Sequence, residues 1–153
     1  MRIDYGANGA VSKAMSGMLL GAGALGLDPL LVELVKVRAS QLNHCAYCLD
    51  MHTKDAVALG ESDDRLHLVV AWRETPSFNE RERAALAWTE ELTLIADTGA
   101  SDEVYESVRA VFSEEEMINL TIAIVAINSW NRFAVGFRSE PGHYSSRYTK
   151  VTA

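Results

Sequence analysis

The chain is expected to be all-α, a single bundle of about six or seven helices, on three observations. Helix-start signals recur along it, apolar residues return every three or four positions, and no stretch alternates apolar with polar residues as a half-buried strand would. At 153 residues it fits one domain, 1–153, large enough to bury a core without disulfides or metals. Its two cysteines are therefore free for chemistry.

The elements follow in order. Val11, Met15, Met18, Leu19 and Ala22 recur at helical spacing and predict a short packed helix leading into a Gly-rich turn. The rival reading of "AMSGMLLGAGALGL" as a signal h-region is weakened by its four glycines and its serine, and no A-x-A site follows. "DPLLVELVKVRASQL" has Asp28 as cap and Pro29 at the first helical position, with Leu30, Leu31, Leu34, Val35, Arg38 and Leu42 on one side. "CLDMHTKDAVALG" continues as a helix with Gly60 as its stop, and "SDDRLHLVVAWRE" forms another that ends before Pro76.

Two S-x-x-E capping boxes come next, Ser77 with Glu80 and Ser113 with Glu116. The helix after Ser77 carries an apolar stripe of Ala84, Ala85, Trp88, Leu92 and Ile95. The helix after Ser113 contains "INLTIAIVAI", apolar nearly all round, which predicts a central buried helix. No run reaches the roughly 18 to 20 apolar residues of a bilayer span.

Fourteen Lys and Arg against 21 Asp and Glu give a net charge of -7, which disfavours nucleic acid and anionic lipid surfaces as partners. A small molecule or a protein suits the chain better. A reducing cytoplasm is the default compartment, and there a C-x-x-C is more often catalytic or metal-binding than structural.

"LNHCAYCLDMH", Leu42 to His52, holds both cysteines and two of the four histidines. On a helix beginning near Cys45, the residues Cys45, Cys48 and His52 share one face. Unpaired amides and the helix dipole lower a thiol's pKa at that end, and the nucleophile is the thiolate. His52, one turn beyond Cys48, can accept its proton. The spacing also permits a reversible disulfide. Two rivals stay open: buried structural cysteines with an ordinary helix histidine, or a zinc site of His44, Cys45, Cys48 and His52, although adjacent His44 and Cys45 need a chain bend to converge.

The segment "ELVKVRASQLNHCAYCLDMHTKDA", Glu33 to Ala56, resembles the core motif of the AhpD-like alkylhydroperoxidases of the carboxymuconolactone decarboxylase superfamily. Similarity extends through "AWRETPSFNERERAALAW" to a second motif, "AIVAINSWNRFAVGFR", over 123–138. The resemblance implies an AhpD-like helical domain, assembled as a homo-oligomer (trimer or hexamer), with the cysteines as a redox pair supported by Glu33 and His52. Decarboxylase activity is not implied, because the true decarboxylases lack the cysteine pair. Where the archetypal enzyme has a histidine just before its second cysteine, this chain has Tyr47, a poor proton acceptor near neutral pH. A full proton relay of the family's kind does not follow for this chain.

The expected function is a thiol-dependent peroxidase or disulfide reductase with no metal and no organic cofactor. Its partners are a peroxide substrate and an external dithiol or disulfide-reductase electron donor. The alternatives are a non-catalytic redox sensor or partner-binding module, or a zinc-bound structural module. The expected site residues are Cys45, Cys48, His52, Glu33 and Tyr47. Cys48 is taken as peroxidatic for its nearness to His52, although Cys45 has the better claim on the helix terminus and on exposure. An antiparallel return brings Glu33 against the Cys48 and His52 face, where it is expected to raise the His52 pKa above about 6.5, the cation then stabilising a thiolate.

Other residues carry weaker expectations. His44 belongs at the site's edge or in a subunit contact, and Trp130, Asn131 and Arg132 fit packing at the end of the long helix at least as well as a site role. Asp50 and Lys54 form a solvent-facing i, i+4 pair, and His67 and His143 have no convergent partners. Trp72, Trp88 and Trp130, with the apolar Ser113 helix, offer more apolar surface than a lone small bundle buries, which also suggests assembly.

Overall fold

The computed structural model describes residues 26–148 together with Arg2, Gly9, Val11, Lys13, Ala14 and Gly17. The helix expected around 11–22 lies largely outside the described residues. Among the described residues there are seven α-helices, one 3-10 segment and no strand. They are α1 (Pro29–Leu42), α2 (Ala46–Ala58), α3 (Asp63–Leu68), the 3-10 segment Val69–Glu74, α4 (Glu80–Thr93), α5 (Ile95–Thr98), α6 (Asp102–Arg109) and α7 (Glu114–Phe137). The all-α fold is as the sequence predicts.

The local signals act largely where expected. The Asp28 carboxylate accepts from the Leu30 amide at 3.0 Å and Pro29 fills the first turn of α1. After α2, Gly60 takes φ +105, a left-handed value that stops the helix. Ser113 and Glu116 form the capping box of α7. The box at Ser77 is not the one used. Asn79 caps α4 with Glu82 as its partner, and the Ser77 carbonyl accepts from Arg65 instead. Phe78, 3% exposed, is drawn into the core and carries the chain past Ser77 before the helix can start. The "SDDRLHLVVAWRE" helix likewise divides, its second half being a 3-10 segment kinked at Ala71.

The central helix is α1 rather than α7. Leu31 and Val35 pack with Trp88, Phe112, Leu120 and Ile124. Leu34 and Val37 pack with Ala56, Leu66, Trp72 and Leu86. With α2, α4 and α7 all against it, α1 buries nine consecutive or near-consecutive residues, among them the polar Glu33, Lys36 and Ser40. Helix α7 buries only one face, through Met117, Leu120, Ala123, Ile124 and Ile127, and leaves Ile118, Ile122, Val125 and Val135 exposed. At 24 residues it is long and apolar enough, by length and composition, to cross a membrane, which the ten-residue apolar stretch alone does not suggest. Its buried face makes it a core helix with one uncovered side.

Candidate functional site

Three residues, 43–45, reverse the chain between α1 and α2. The Cys45 amide donates to the Ser40 carbonyl at 2.9 Å, and His44 adopts φ +53, a conformation uncommon for a residue with a side chain. Buried amides of α7 clamp this corner. Asn43 donates to the side chains of Asn128 and Asn131, both at 2.9 Å, and Asn131 donates to Ser40 at 3.1 Å. Asn131 therefore has the structural role, holding the corner, while Arg132 caps the arrangement by donating to Asn128.

The corner leaves Cys45 as the N-cap of α2, its Sγ accepting from the Cys48 amide at 3.3 Å. The two sulfurs are joined in a disulfide, with Cα atoms 5.3 Å apart. Both cysteines are buried, Cys45 at 1% and Cys48 at 3%, so the greater exposure expected of Cys45 is not found. They pack against Ala39, Ile127 and Ala134, and the half-buried Tyr47 joins the same cluster as a wall of the site.

Helix α2 runs back along α1 and brings His52 against Glu33, Nδ1 to Oε2 at 2.7 Å, both buried. The other Glu33 oxygen accepts from Lys36 at 2.8 Å and from Arg147 at 3.0 Å. Burial on its own raises a carboxyl pKa, but the His52 hydrogen bond and the charges around it override this and hold Glu33 at about 2. Burial pushes His52 below its ordinary 6.5, and the opposing pull of Glu33 does not overcome it. The expected rise in the His52 pKa is therefore corrected. At neutral pH the lowered pKa favours a neutral imidazole, and the tautomer whose Nδ1–H donates to ionised Glu33 leaves Nε2 as a proton acceptor.

Asp55, missed from the sequence, completes the cluster one turn beyond His52 and is fully buried. Its oxygens accept from Tyr144 at 2.9 and 3.1 Å and from Ser146 at 2.7 Å, and pair with Arg147 at 3.3 Å. Burial and the Asp55 hydrogen bond push the Tyr144 hydroxyl up to about 12, so it stays a donor. Asp50 and Lys54 do pair at 2.8 Å, and they also anchor the C-terminal segment, through the Gly142 amide and the Tyr144 carbonyl.

The proposed zinc set does not converge. His44 is exposed on its left-handed turn, His52 is buried on Glu33, and the cysteine sulfurs are bonded to each other. Among the described residues, only Glu33, His52 and Asp55 bring metal-ligand atoms within 4.8 Å of one another. Lys36 and Arg147 already stand where a cation would, and Tyr144 and Ser146 take up the remaining acceptors. The donor set is thus a balanced ion network.

One consequence is acid sensitivity. His52 is neutral when folded but takes up a proton when unfolded below pH 6.5, so its contribution is complete above that pH and is lost as pH falls. Glu33 acts in the same direction, its contribution present above 4.5 and lost towards 2. Melting temperature is expected to stay nearly level from pH 7.5 to about 6.5 and to fall from there to pH 5, stability dropping by up to about 1.4 kcal/mol per pH unit for one proton. His52→Gln should flatten the upper part of that slope. An unchanged melting temperature across this range in the wild type contradicts a buried neutral His52.

The chain matches the profile of the carboxymuconolactone decarboxylase family over residues 9–91. It is 44% identical over 103 residues to the uncharacterized protein YdfG of Bacillus subtilis, covering 67% of this chain and 70% of that protein. The crystal structure of ATU0492 from Agrobacterium tumefaciens, a protein of unknown function whose description proposes an antioxidant defence protein AhpD, superposes with a TM-score of 0.90 at 44% identity. The overlap covers 94% of this chain and 99% of that one. The debrominase Bmp8 shares the fold at a TM-score of 0.76, with 21% identity over 90% of this chain and 74% of its own. At that identity the likeness concerns the fold alone.

Proposed function

This chain belongs to the carboxymuconolactone decarboxylase family, AhpD-like in fold and motif, and from that premise we propose that it is a thiol-dependent peroxidase. The observation that carries the proposal is the Cys45–Cys48 disulfide at the start of α2, backed by the buried His52–Glu33 pair one turn away.

In the reduced protein, His52 Nε2 accepts the Cys48 proton and the thiolate attacks one oxygen of a hydroperoxide. The O–O bond breaks, an alcohol leaves with the proton returned by His52, and Cys48 becomes a sulfenic acid. The Cys45 sulfur then attacks the Cys48 sulfur, the S–S bond forms and water leaves. An external dithiol resets the pair by exchange, two electrons passing to the disulfide. Cys45, at the helix N-terminus, is the better placed to leave as a thiolate in that step. Tyr47, in this proposal, shapes the site without relaying protons.

The test is a thiol count. Two thiols per chain should titrate after reduction, and one equivalent of an organic hydroperoxide should remove both, with peptide mapping finding a bond between Cys45 and Cys48. If both thiols persist, or only disulfides between chains form, the proposal fails.

We further propose that the exposed stripe of α7 is covered by another copy of the chain, in a trimer or a hexamer. Ile118, Ile122 and Val125 lie three and four positions apart on one side of the helix and are 38–54% exposed. Ile122→Glu places a charge at their centre. Light scattering at micromolar concentration should give an assembly for the wild type and a smaller species for the variant, while a monomeric wild type contradicts this proposal.

A further inference from the structure

The C-terminal segment, 142–148, lies over the polar side of the site, and all its anchors are charged residues of α1 and α2. Asp50 accepts from the Gly142 amide at 3.0 Å, Lys54 donates to the Tyr144 carbonyl at 3.1 Å, and Asp55 accepts from Tyr144 and Ser146. Arg147 reaches furthest in. Its NH2 nitrogen meets Glu33 at 3.0 Å and its Nε meets Asp55 at 3.3 Å, so that one guanidinium bridges two fully buried carboxylates.

The charges can be counted. Around His52 stand Glu33 and Lys36 from α1 and Asp55 from its own helix, and the C-terminal segment brings Arg147 to both carboxylates, Tyr144 to Asp55 and Tyr148 beneath the Arg147 guanidinium. The one Lys or Arg within α7, Arg132, donates to Asn128. The two carboxylates are balanced by Lys36 and Arg147, and both tyrosines keep their protons, since burial pushes each hydroxyl upward. Among the described residues, the cation in ion-pair contact with Asp55 is Arg147. Without it the cluster carries an uncompensated negative charge in a buried place, which Asp55 itself or the neighbouring His52 can neutralise by gaining a proton, and the excess charge raises the His52 pKa in either case until it is neutralised.

We propose that Arg147 is a positioning residue of the redox site: by bridging Glu33 and Asp55 it offsets their negative charge, so that burial can keep His52 an uncharged proton acceptor. The C-terminal segment thereby sets the state of the base, because Arg147, its side chain 49% exposed, is held by a segment that lies outside the helices. A detached segment leaves His52 protonated and unable to take the proton of Cys48. This inference rests on the reading of His52 as the base, yet it concerns a titration that requires no peroxide.

The experiment follows the His52 ring by NMR as a function of pH in the full-length wild type, Arg147→Gln and Arg147→Lys. In Arg147→Gln the titration should move up by about 1 pH unit or more, while Arg147→Lys, which keeps the charge, should stay near the wild type. A merely structural arginine predicts lower stability in both variants and an unmoved titration. An unmoved His52 in folded Arg147→Gln overturns the proposal. Should Arg147→Gln not fold, Arg147→Gln/Asp55→Asn, which balances the charge again, should fold and titrate as the wild type does. If that pair also fails to fold, Arg147 is a tether and the proposal falls. A wild type inactive towards peroxides, with the His52 shift present, removes the peroxidase proposal and leaves this one standing.

Discussion

Cys48→Ser is expected to lose peroxide turnover by on the order of 10³-fold or more, because the variant has no nucleophile beside His52 and serine is a far weaker one at neutral pH. Cys45→Ser is expected to behave differently. Its Cys48 still attacks the peroxide once, but the sulfenic acid has no second thiol to condense with, so it accumulates and can be trapped by a dimedone-type reagent. The two variants therefore assign the roles that spacing alone leaves open. If trapping succeeds in Cys48→Ser and fails in Cys45→Ser, the roles are reversed and Cys45, the N-cap, is the attacking residue. Both side chains are buried and small, so each replacement should cost little stability beyond the loss of the disulfide.

Glu33→Gln is expected to lower the rate of peroxide reduction near neutral pH by roughly 10 to 100-fold. The glutamate fixes the tautomer that leaves Nε2 free, and its charge opposes the downward push of burial on His52. Without it the imidazole is a weaker base and its cation, formed as Cys48 loses its proton, has no counter-ion. Raising the pH should restore part of the rate by ionising the thiol directly. The structure adds a second consequence that the spacing did not suggest. Lys36, nearly buried, loses its partner, and removing one member of a buried pair costs about 3–5 kcal/mol. Rates are therefore to be compared well below the melting temperature. A wild-type rate and pH profile in Glu33→Gln would make Glu33 a structural residue.

What the sequence disclosed, and what it did not, follows the range of each interaction. Capping by Asp28 and Ser113, the stop at Gly60 and the placing of Cys45 at a helix start are local, and they were legible. Asn79 with Glu82 has the same box signature as Ser77 with Glu80, and the choice between them was made by burial of Phe78, which is tertiary. The short α5 and α6 were not anticipated, although Ser101 before two acidic residues is a start signal for α6. The buried rank of α1 over α7 was hidden because α1 carries Glu33, Lys36 and Ser40 while α7 contains the more uniformly apolar stretch, and only contacts with three neighbouring helices decide which one is central.

In the site, the Glu33–His52 pairing could be anticipated from motif spacing and an antiparallel return, while its effect on His52 could not. Sign depends on how deeply the pair is buried. Asp55, three residues after His52 and seven after Cys48, shares their helix face and was findable by the same periodicity. Arg147 lies 92 residues from Asp55 and 114 from Glu33, in a segment with no helical signal, and nothing local connects them.

The central claim is that the Cys45–Cys48 pair cycles as a catalyst. Its most direct test is steady-state consumption of an organic hydroperoxide by the purified protein with a dithiol donor in excess, measured against the donor alone. The account predicts many peroxides reduced per chain, at a rate that Cys48→Ser abolishes. A wild type that oxidises once to the disulfide and then stops with each of several dithiols would contradict it, and would leave the pair as a redox sensor.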